Sequence, residues 1–454
     1  MSFALFLAYV FLSFFRPIEL FAPDLGVYRP MMWLWAIAFV LALVQAVARR
    51  TMAARPLHLG LLAGLGAAIA ISQIAAGWSG GAISSLSEFS PAAMLFVLAI
   101  LNVTSMSRLR ATCVVFVAAL MLISSLGIYA YHTGQNAKEL VMRQNTDAHD
   151  DEDALGQDMS AAEVAALVPS RDKTGLYLWR VRGMGFLNDP NDLAQALVFV
   201  LALLGAAWRT GQFRRNLLFV LAPGATVLYT VALTQSRGAI VGIASLVFFA
   251  VRRRLGTLRT TVMLGGLGVI ALVGNTIGGR AFSSQERSAE ERIEAWTVGF
   301  ELVRKYPLFG AGYGNFTDHN GLTAHNSYVL CFSELGLLGY FAWMGLIVLT
   351  YKGISLAAET MPSGSDERRY AQHLRSALVG FLTCAWFLSR TYSPTLYFVL
   401  ALCVSAWWVA SRQAEGIELR YRLGHITWRK HTVIMMAISL VAVYGFIVMH
   451  RMGG

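Results

Sequence analysis

Apolar runs recur along almost the whole chain, separated by short basic or polar breaks, and no soluble fold accommodates that pattern. Spans can be drawn at 3–15, 31–48, 57–76, 91–103, 111–131, 193–208, 217–234, 239–251, 261–277, 327–351, 376–388, 395–409 and 433–449. They predict an all-α integral membrane protein with about 13 (12–14) transmembrane helices. Several runs fall short of the roughly 20 residues that a bilayer crossing needs, so their helices are expected to extend into less apolar flanks. Composition agrees: 56% of the residues are hydrophobic and 14% charged, where a soluble domain carries about 25% charged. The first run has neither a basic leader nor a small-residue cleavage site, so it is expected to be retained. Cys113, Cys331, Cys384 and Cys403 all lie in apolar runs and read as small core residues, not as a disulfide framework.

The formal charge of +11 invites a nucleic-acid reading. Sorting it by loop removes that reading. Arg49, Arg50 and Arg55, then Arg108 and Arg110, then Arg209, Arg214 and Arg215, then Arg252 to Arg254 and Arg259 occupy alternate breaks. Lys352, Arg368, Arg369 and Arg375 follow, and finally Arg412, Arg420, Arg422, Arg429 and Lys430. Cytoplasmic loops of membrane proteins carry such an excess, so most of the charge is a topology signal and no nucleic-acid partner is expected.

This orientation divides the chain into 1–131 with five helices, a first extracytoplasmic loop at 132–192, and helices six to nine at 193–277. A second extracytoplasmic loop at 278–326 and four helices at 327–454 complete it. The first loop carries Asp147, Asp150, Asp151, Glu152, Asp153 and Asp158, a solvated acidic stretch without the glycine and terminal glutamate of an EF-hand. No cytoplasmic loop is long enough for a nucleotide-binding domain, and no phosphate-binding Walker sequence occurs.

Polar residues that need an explanation cluster near the extracytoplasmic helix ends. Arg180 and Arg182 precede Gly185-Phe186-Leu187-Asn188-Asp189-Pro190-Asn191-Asp192, which runs into a span. Arg237 sits in the very short turn Thr234-Gln235-Ser236-Arg237-Gly238; it either snorkels to water or offers a planar fork to a lipid-borne phosphate or pyrophosphate. Arg390, before Tyr392 and Pro394, is a weaker candidate of the same kind, for which snorkelling is the better account.

In the second loop, Ser288-Ala289-Glu290-Glu291 fits a capping box, and Ile293, Trp296, Phe300 and Val303 fall at spacings of three and four. The segment is therefore expected to be an amphipathic helix lying on the membrane surface, ended by Pro307 and the glycines after it. Arg292 on this helix pairs either with its neighbouring glutamates or with a substrate. His325 begins a span whose first turn Asn326 or Ser327 can cap. Its ordinary pKa near 6.5 lets it accept a proton at neutral pH, although a lone interfacial histidine also serves structural roles. No carboxylate–histidine cluster with metal spacing accompanies it, so metal-free chemistry without a cofactor is expected.

At these residues the chain resembles the O-antigen ligase and polymerase superfamily of bacterial envelope glycosyltransferases. Ala324-His325-Asn326-Ser327-Tyr328 followed by Glu334-Leu335-Gly336-Leu337-Leu338-Gly339 fits the ligase-type pattern H-[NSQ]-x9-G-x-x-[GTY]. Arg292-Ile293-Glu294-Ala295-Trp296 and Pro307 to Phe316 resemble the family's R-x-x-x-W and P-x-x-G-x-G-x-x-x-F stretches. The segments 236–238 and 185–191 resemble two further landmarks, so the resemblance covers roughly Arg180 to Tyr340.

The resemblance implies a GT-C-like enzyme of the bacterial inner membrane with its site on the periplasmic face. Its donor would be a glycan on undecaprenyl pyrophosphate, and its acceptor a hydroxyl of another glycan or of lipid A core. By position His325 would activate the acceptor, while Arg237 and Arg292 would contact pyrophosphate. Arg180, Arg182, Asn191, Asn326 and Tyr313 would bind substrate. No loop arginine has a glycine eleven positions later, the spacing of some polymerases, which favours ligase-type chemistry. An O-antigen or exopolysaccharide polymerase is the alternative. A flippase or exporter of lipid-linked glycans is a third reading, less consistent with spans that are largely uncharged at mid-depth.

Overall fold

The computed structural model describes residues 1–48, 56–145, 168–172, 177–261, 263, 287–413 and 427–453. Its long helices are α1 (Ser2–Phe15), α2 (Pro30–Ala48), α3 (Pro56–Ala75), α4 (Ser79–Asn102), α5 (Met106–Thr133), α6 (Pro190–Ala207) and α7 (Phe213–Thr234, its start passing through a π turn at Leu217–Leu221). Then come α8 (Arg237–Leu255), α9 (Arg287–Lys305), α10 (Ser327–Thr360), α11 (Asp366–Ala385), α12 (Pro394–Gln413) and α13 (Trp428–Gly453). Nine described helices are long and apolar enough to cross a membrane: α2 to α7, α10, α12 and α13. α1 has only 14 residues, while α8 and α11 carry charged ends. Apart from Thr261 and Met263, the expected span at 261–277 lies outside the described residues, as does the acidic stretch 147–158.

Three sequence expectations change. The expected break before 91–103 is helical, because α4 starts at Ser79 and runs through Pro91. Pro91 has no N–H for the Ser87 carbonyl, and the Ser90 hydroxyl donates to that carbonyl instead at 2.7 Å. The first long loop contains a two-stranded antiparallel ribbon, β1 (Val141–Asn145) with β2 (Tyr177–Val181), the one sheet among the described residues. The apolar stripe of the amphipathic helix α9, expected to meet a membrane surface, packs on protein. Ile293 and Trp296 are buried, Trp296 packs on Phe446 at 5.4 Å, and Phe300 packs on Phe332 and Tyr444.

Burial sorts the helices. The apolar window of α12 is 94% buried and that of α10 83%, against 17% for α2 and 28% for both α7 and α13. Helices apolar all round are stable only inside a bundle or against lipid. α10, α12 and α6 therefore form the centre, and α2, α7 and α13 present residues such as Val44, Phe219 and Val441 outward. The four cysteines are buried free thiols.

α10 spans the bundle and defines its two ends. Near its last turn Glu359 meets Arg375 at 3.0 Å, and at this end Arg110, Arg209 and Arg369 converge on Asp366 at 2.6, 3.0 and 2.7 Å. Three of the basic breaks thus share one end of the molecule, as the charge pattern predicts. The first turn of α10, with His325 just ahead of it, belongs to the other end.

Candidate active site

Three helix N-termini meet at that second end. α6 starts at Asp189-Pro190: the Asp189 carboxylate accepts from the Asn191 backbone N–H at 2.7 Å and its side-chain amide at 2.9 Å. Proline at the first helical position loses only an N–H that would have no helical partner. α8 starts at Arg237, capped by the Ser236 hydroxyl, which accepts from the Ala239 N–H at 3.4 Å. α10 is capped by Asn326, not Ser327: its Oδ1 accepts from the N–H groups of Tyr328 (2.9 Å) and Val329 (3.1 Å). Among the described residues, the buried Asn326 Nδ2 has no hydrogen-bond partner.

Side chains tie these starts together. Arg180 on β2 donates to the Thr234 carbonyl at 2.8 Å and to Asn191 Oδ1 at 3.0 Å, linking the α7–α8 turn to α6. A Cβ on Gly238 would stand 3.4 Å from Phe387, and the Cys384 thiol approaches the Gly238 carbonyl, so α8 begins against the end of α11. The Ser327 hydroxyl donates to Leu388 O and accepts from the Arg390 N–H at 2.9 Å, while the Thr391 hydroxyl donates to Ser327 O at 2.7 Å. The turn after α11 is thereby fixed to the first residue of α10.

His325 lies one residue ahead of the α10 cap, half-buried, with φ at 48° in the left-handed region. Histidine is among the side chains that tolerate this region best. The buried Trp296 indole donates to Ala324 O at 3.0 Å and so holds the residue before His325 on α9, the helix that carries Arg292. Burial first, then the charge of Arg292, pushes the His325 imidazole below its ordinary 6.5. Asp189 and Glu291 oppose this in part, and Arg390 adds to it. A neutral imidazole in a cationic surrounding can take a proton from a hydroxyl near pH 7.

Arg390, which the sequence leaves as a snorkelling residue, is the centre of an ion-pair group. Its Nε donates to Asp192 Oδ1 and its terminal nitrogen lies 3.5 Å from Asp189 Oδ2. Burial works against its charge, but Asp192 and Asp189 more than compensate and keep it ionised. Asp192 and Arg390 are 198 positions apart, and only a charge at the start of one apolar run and another in a turn hint at the pair. Replacing Asp192 with alanine is expected to cost about 2 kcal/mol, the scale of a charge-assisted hydrogen bond. Thermal unfolding in detergent checks this, and an unchanged midpoint would show that the pair does not hold the turn.

Other predicted residues are placed differently. Arg182 donates to the carbonyls of Glu139 (3.1 Å) and Lys138 (2.9 Å) beside a separate polar cavity, so its guanidinium is engaged away from the three helix starts. Tyr313 is buried, with its ring 4.5 Å from that of Tyr392. The backbone around Tyr313 is latched to α3, where Ser72 Oγ accepts its N–H at 3.1 Å and Gln73 donates to its carbonyl. Burial pushes its hydroxyl up, and its ring packs against Tyr392.

That loop interlocks with α10. Gly336 (φ 62°) breaks the α10 backbone, and the exposed polar groups pair with residues 307–312. Ala311 N–H donates to Ser333 O (2.8 Å), Gly312 N–H to Glu334 O (3.1 Å) and Leu337 N–H to Pro307 O (2.8 Å). The buried Glu334 accepts the Phe316 N–H at 3.4 Å. The sequence flags both glycine stretches without revealing that each is the other's partner.

Compared with known proteins, residues 222–344 match the family model described as O-antigen ligase. The match contains Arg237, Arg292, the 307–316 loop, His325 and Gly336, and it supports placing the chain in the O-antigen ligase superfamily. No curated protein matches the chain.

Proposed function

We propose that this protein, a multi-pass membrane chain with an O-antigen ligase-type region, transfers a glycan from undecaprenyl pyrophosphate to an acceptor hydroxyl. The observation that carries the proposal is the meeting of three helix N-termini beside a half-buried His325 that feels the charges of Arg292 and Arg390, with Arg180 and Arg237 at the α6 and α8 starts. Helix N-termini and guanidinium groups favour an anion, and a diphosphate leaving group is the anion that glycosyl transfer must stabilise.

In this mechanism the acceptor oxygen bonds to the anomeric carbon as the bond from that carbon to the phosphate oxygen breaks. His325 takes the acceptor proton, and Arg237 and Arg292 hold the charge that develops on the pyrophosphate. Arg390 is held by Asp189 and Asp192, which makes it a positioning residue for the turn. No metal is needed in this scheme, because guanidinium groups carry the countercharge. The site would face the periplasm from the inner membrane, since the basic breaks gather at the opposite end.

Purified protein in liposomes, supplied with an undecaprenyl-pyrophosphate glycan, tests the reading. New glycosidic product supports an enzyme, and translocation of the donor without product would replace it with a transporter. Lipid A core and a second donor glycan, offered as competing acceptors, separate ligase from polymerase; the missing R-x10-G spacing leads us to expect the ligase product.

A further inference from the structure

A cavity of about 760 Å³ opens between the C-terminal end of α1, the N-terminal end of α2 and the middle of α4, outside the group of residues described above. Its wall is mainly apolar, with Leu12, Trp35, Met94 and Leu95 among the lining side chains. The rim is charged: Arg16, Glu19 and Arg29 all border it. Arg16 pairs with Glu19 and lies 5.3 Å from the centre of the Phe186 ring. That pair leaves Arg29 as the net positive charge of the rim.

Both arginines have left-handed backbones (φ 52° for Arg16, 47° for Arg29), and each precedes a proline. Two bulky residues kept in that region mark a segment whose conformation is imposed by its surroundings. Between them, Phe21, Leu25, Val27 and Tyr28 are exposed, as expected of a segment that meets the bilayer interface. The cavity also touches the site. Phe186 stands three residues before Asp189, and Pro394 four residues after Arg390.

We infer that this cavity is a second lipid site: it takes the hydrocarbon of a phosphate-bearing lipid, with the phosphate on Arg29 and Arg16. An apolar pocket of this size with few convergent polar groups is the ordinary form of a small-molecule site. Cations at the rim select an anionic head, which an uncharged lipid lacks. The inference rests on the proposed transfer reaction only in naming the occupant as the anchor of a substrate at the adjoining site. Arg237 and Arg292 do not line the cavity, so its cations form a set separate from theirs.

The test is photolabelling of the full chain in phosphatidylcholine nanodiscs with three diazirine probes: a polyprenyl monophosphate, phosphatidylglycerol and an uncharged prenol. Peptide mapping is expected to place the label on 31–36 and 94–95, with an anionic probe at least five-fold above prenol. Arg29→Gln is expected to remove most of that preference, Arg29→Lys to restore part of it, and Ala36→Trp to lower labelling by filling the cavity. Whichever anionic probe labels more strongly identifies the source of the lipid. Equal labelling by prenol, or labelling unchanged by both Arg29→Gln and Ala36→Trp, overturns the inference. Because labelling needs no turnover, repeating it in a His325→Gly variant separates failure of this site from failure of the transfer reaction.

Discussion

Replacing His325 with glycine is expected to reduce glycan transfer by about 10²–10⁴-fold, the usual contribution of a general base. The apparent melting temperature should stay close to that of the unaltered protein. Glycine is the informative replacement because residue 325 has φ at 48°. Alanine would add strain in the left-handed region and confuse lost chemistry with a displaced loop, whereas glycine accepts that backbone freely. Retained transfer in a well-folded His325→Gly variant would remove the histidine from the mechanism.

A companion pH profile makes the role specific. His325 works as a base only when neutral, so kcat/KM falls as the pH drops through its pKa. That pKa lies below 6.5, chiefly through burial and then through the charge of Arg292. Arg292→Gln removes the second cause, so the acid limb should move to higher pH while burial still keeps it below the ordinary value. A variant with a lower rate and an unmoved limb would mean that Arg292 acts on the substrate alone, or that another group titrates.

Helix positions are legible in the residue pattern, whereas the partners of individual side chains are not. Apolar periodicity marks the helices well, since any side chain in a bilayer must satisfy one solvent, and the alternating basic breaks correctly foretell that Arg110, Arg209 and Arg369 share an end. Within the apolar runs nothing separates a lipid-facing helix such as α2 from the buried α12, because lipid and protein interior demand the same residue types. Charged candidates are legible as residues that are costly in apolar surroundings, but their partners are not. Arg390 becomes intelligible only beside Asp189 and Asp192, and Arg182 only beside the Lys138 and Glu139 carbonyls. Trp296 belongs to a recognisable motif, yet its hydrogen bond to Ala324 depends on how α9 docks.

The second large effect is expected at Gly336. A Cβ there would lie 2.4 Å from the Leu308 carbonyl carbon and 2.6 Å from Gly310 N, on a backbone already at φ 62°. Neither neighbour is the tip of a flexible side chain, so the clash must be relieved by moving the loop. Gly336→Ala is expected to cost about 3 kcal/mol or more from strain and overpacking together, and to abolish most transfer by displacing the loop latched to α3 at Tyr313. Gly310→Ala should behave alike, because its Cβ would stand 2.3 Å from the Glu334 carbonyl. Gly314 (φ 78°) has nothing within 4 Å, so Gly314→Ala isolates the backbone term at about 1 kcal/mol, while the helical Gly224, equally open, serves as a control expected to gain about 0.4–1 kcal/mol. The double variant Gly310→Ala, Gly336→Ala decides between two accounts. If the glycines form one interlock, the first substitution already breaks the contact that the second would strain, so the combined loss in thermal stability must fall short of the sum. Full additivity would mean two independent tight spots and would overturn the single interlock.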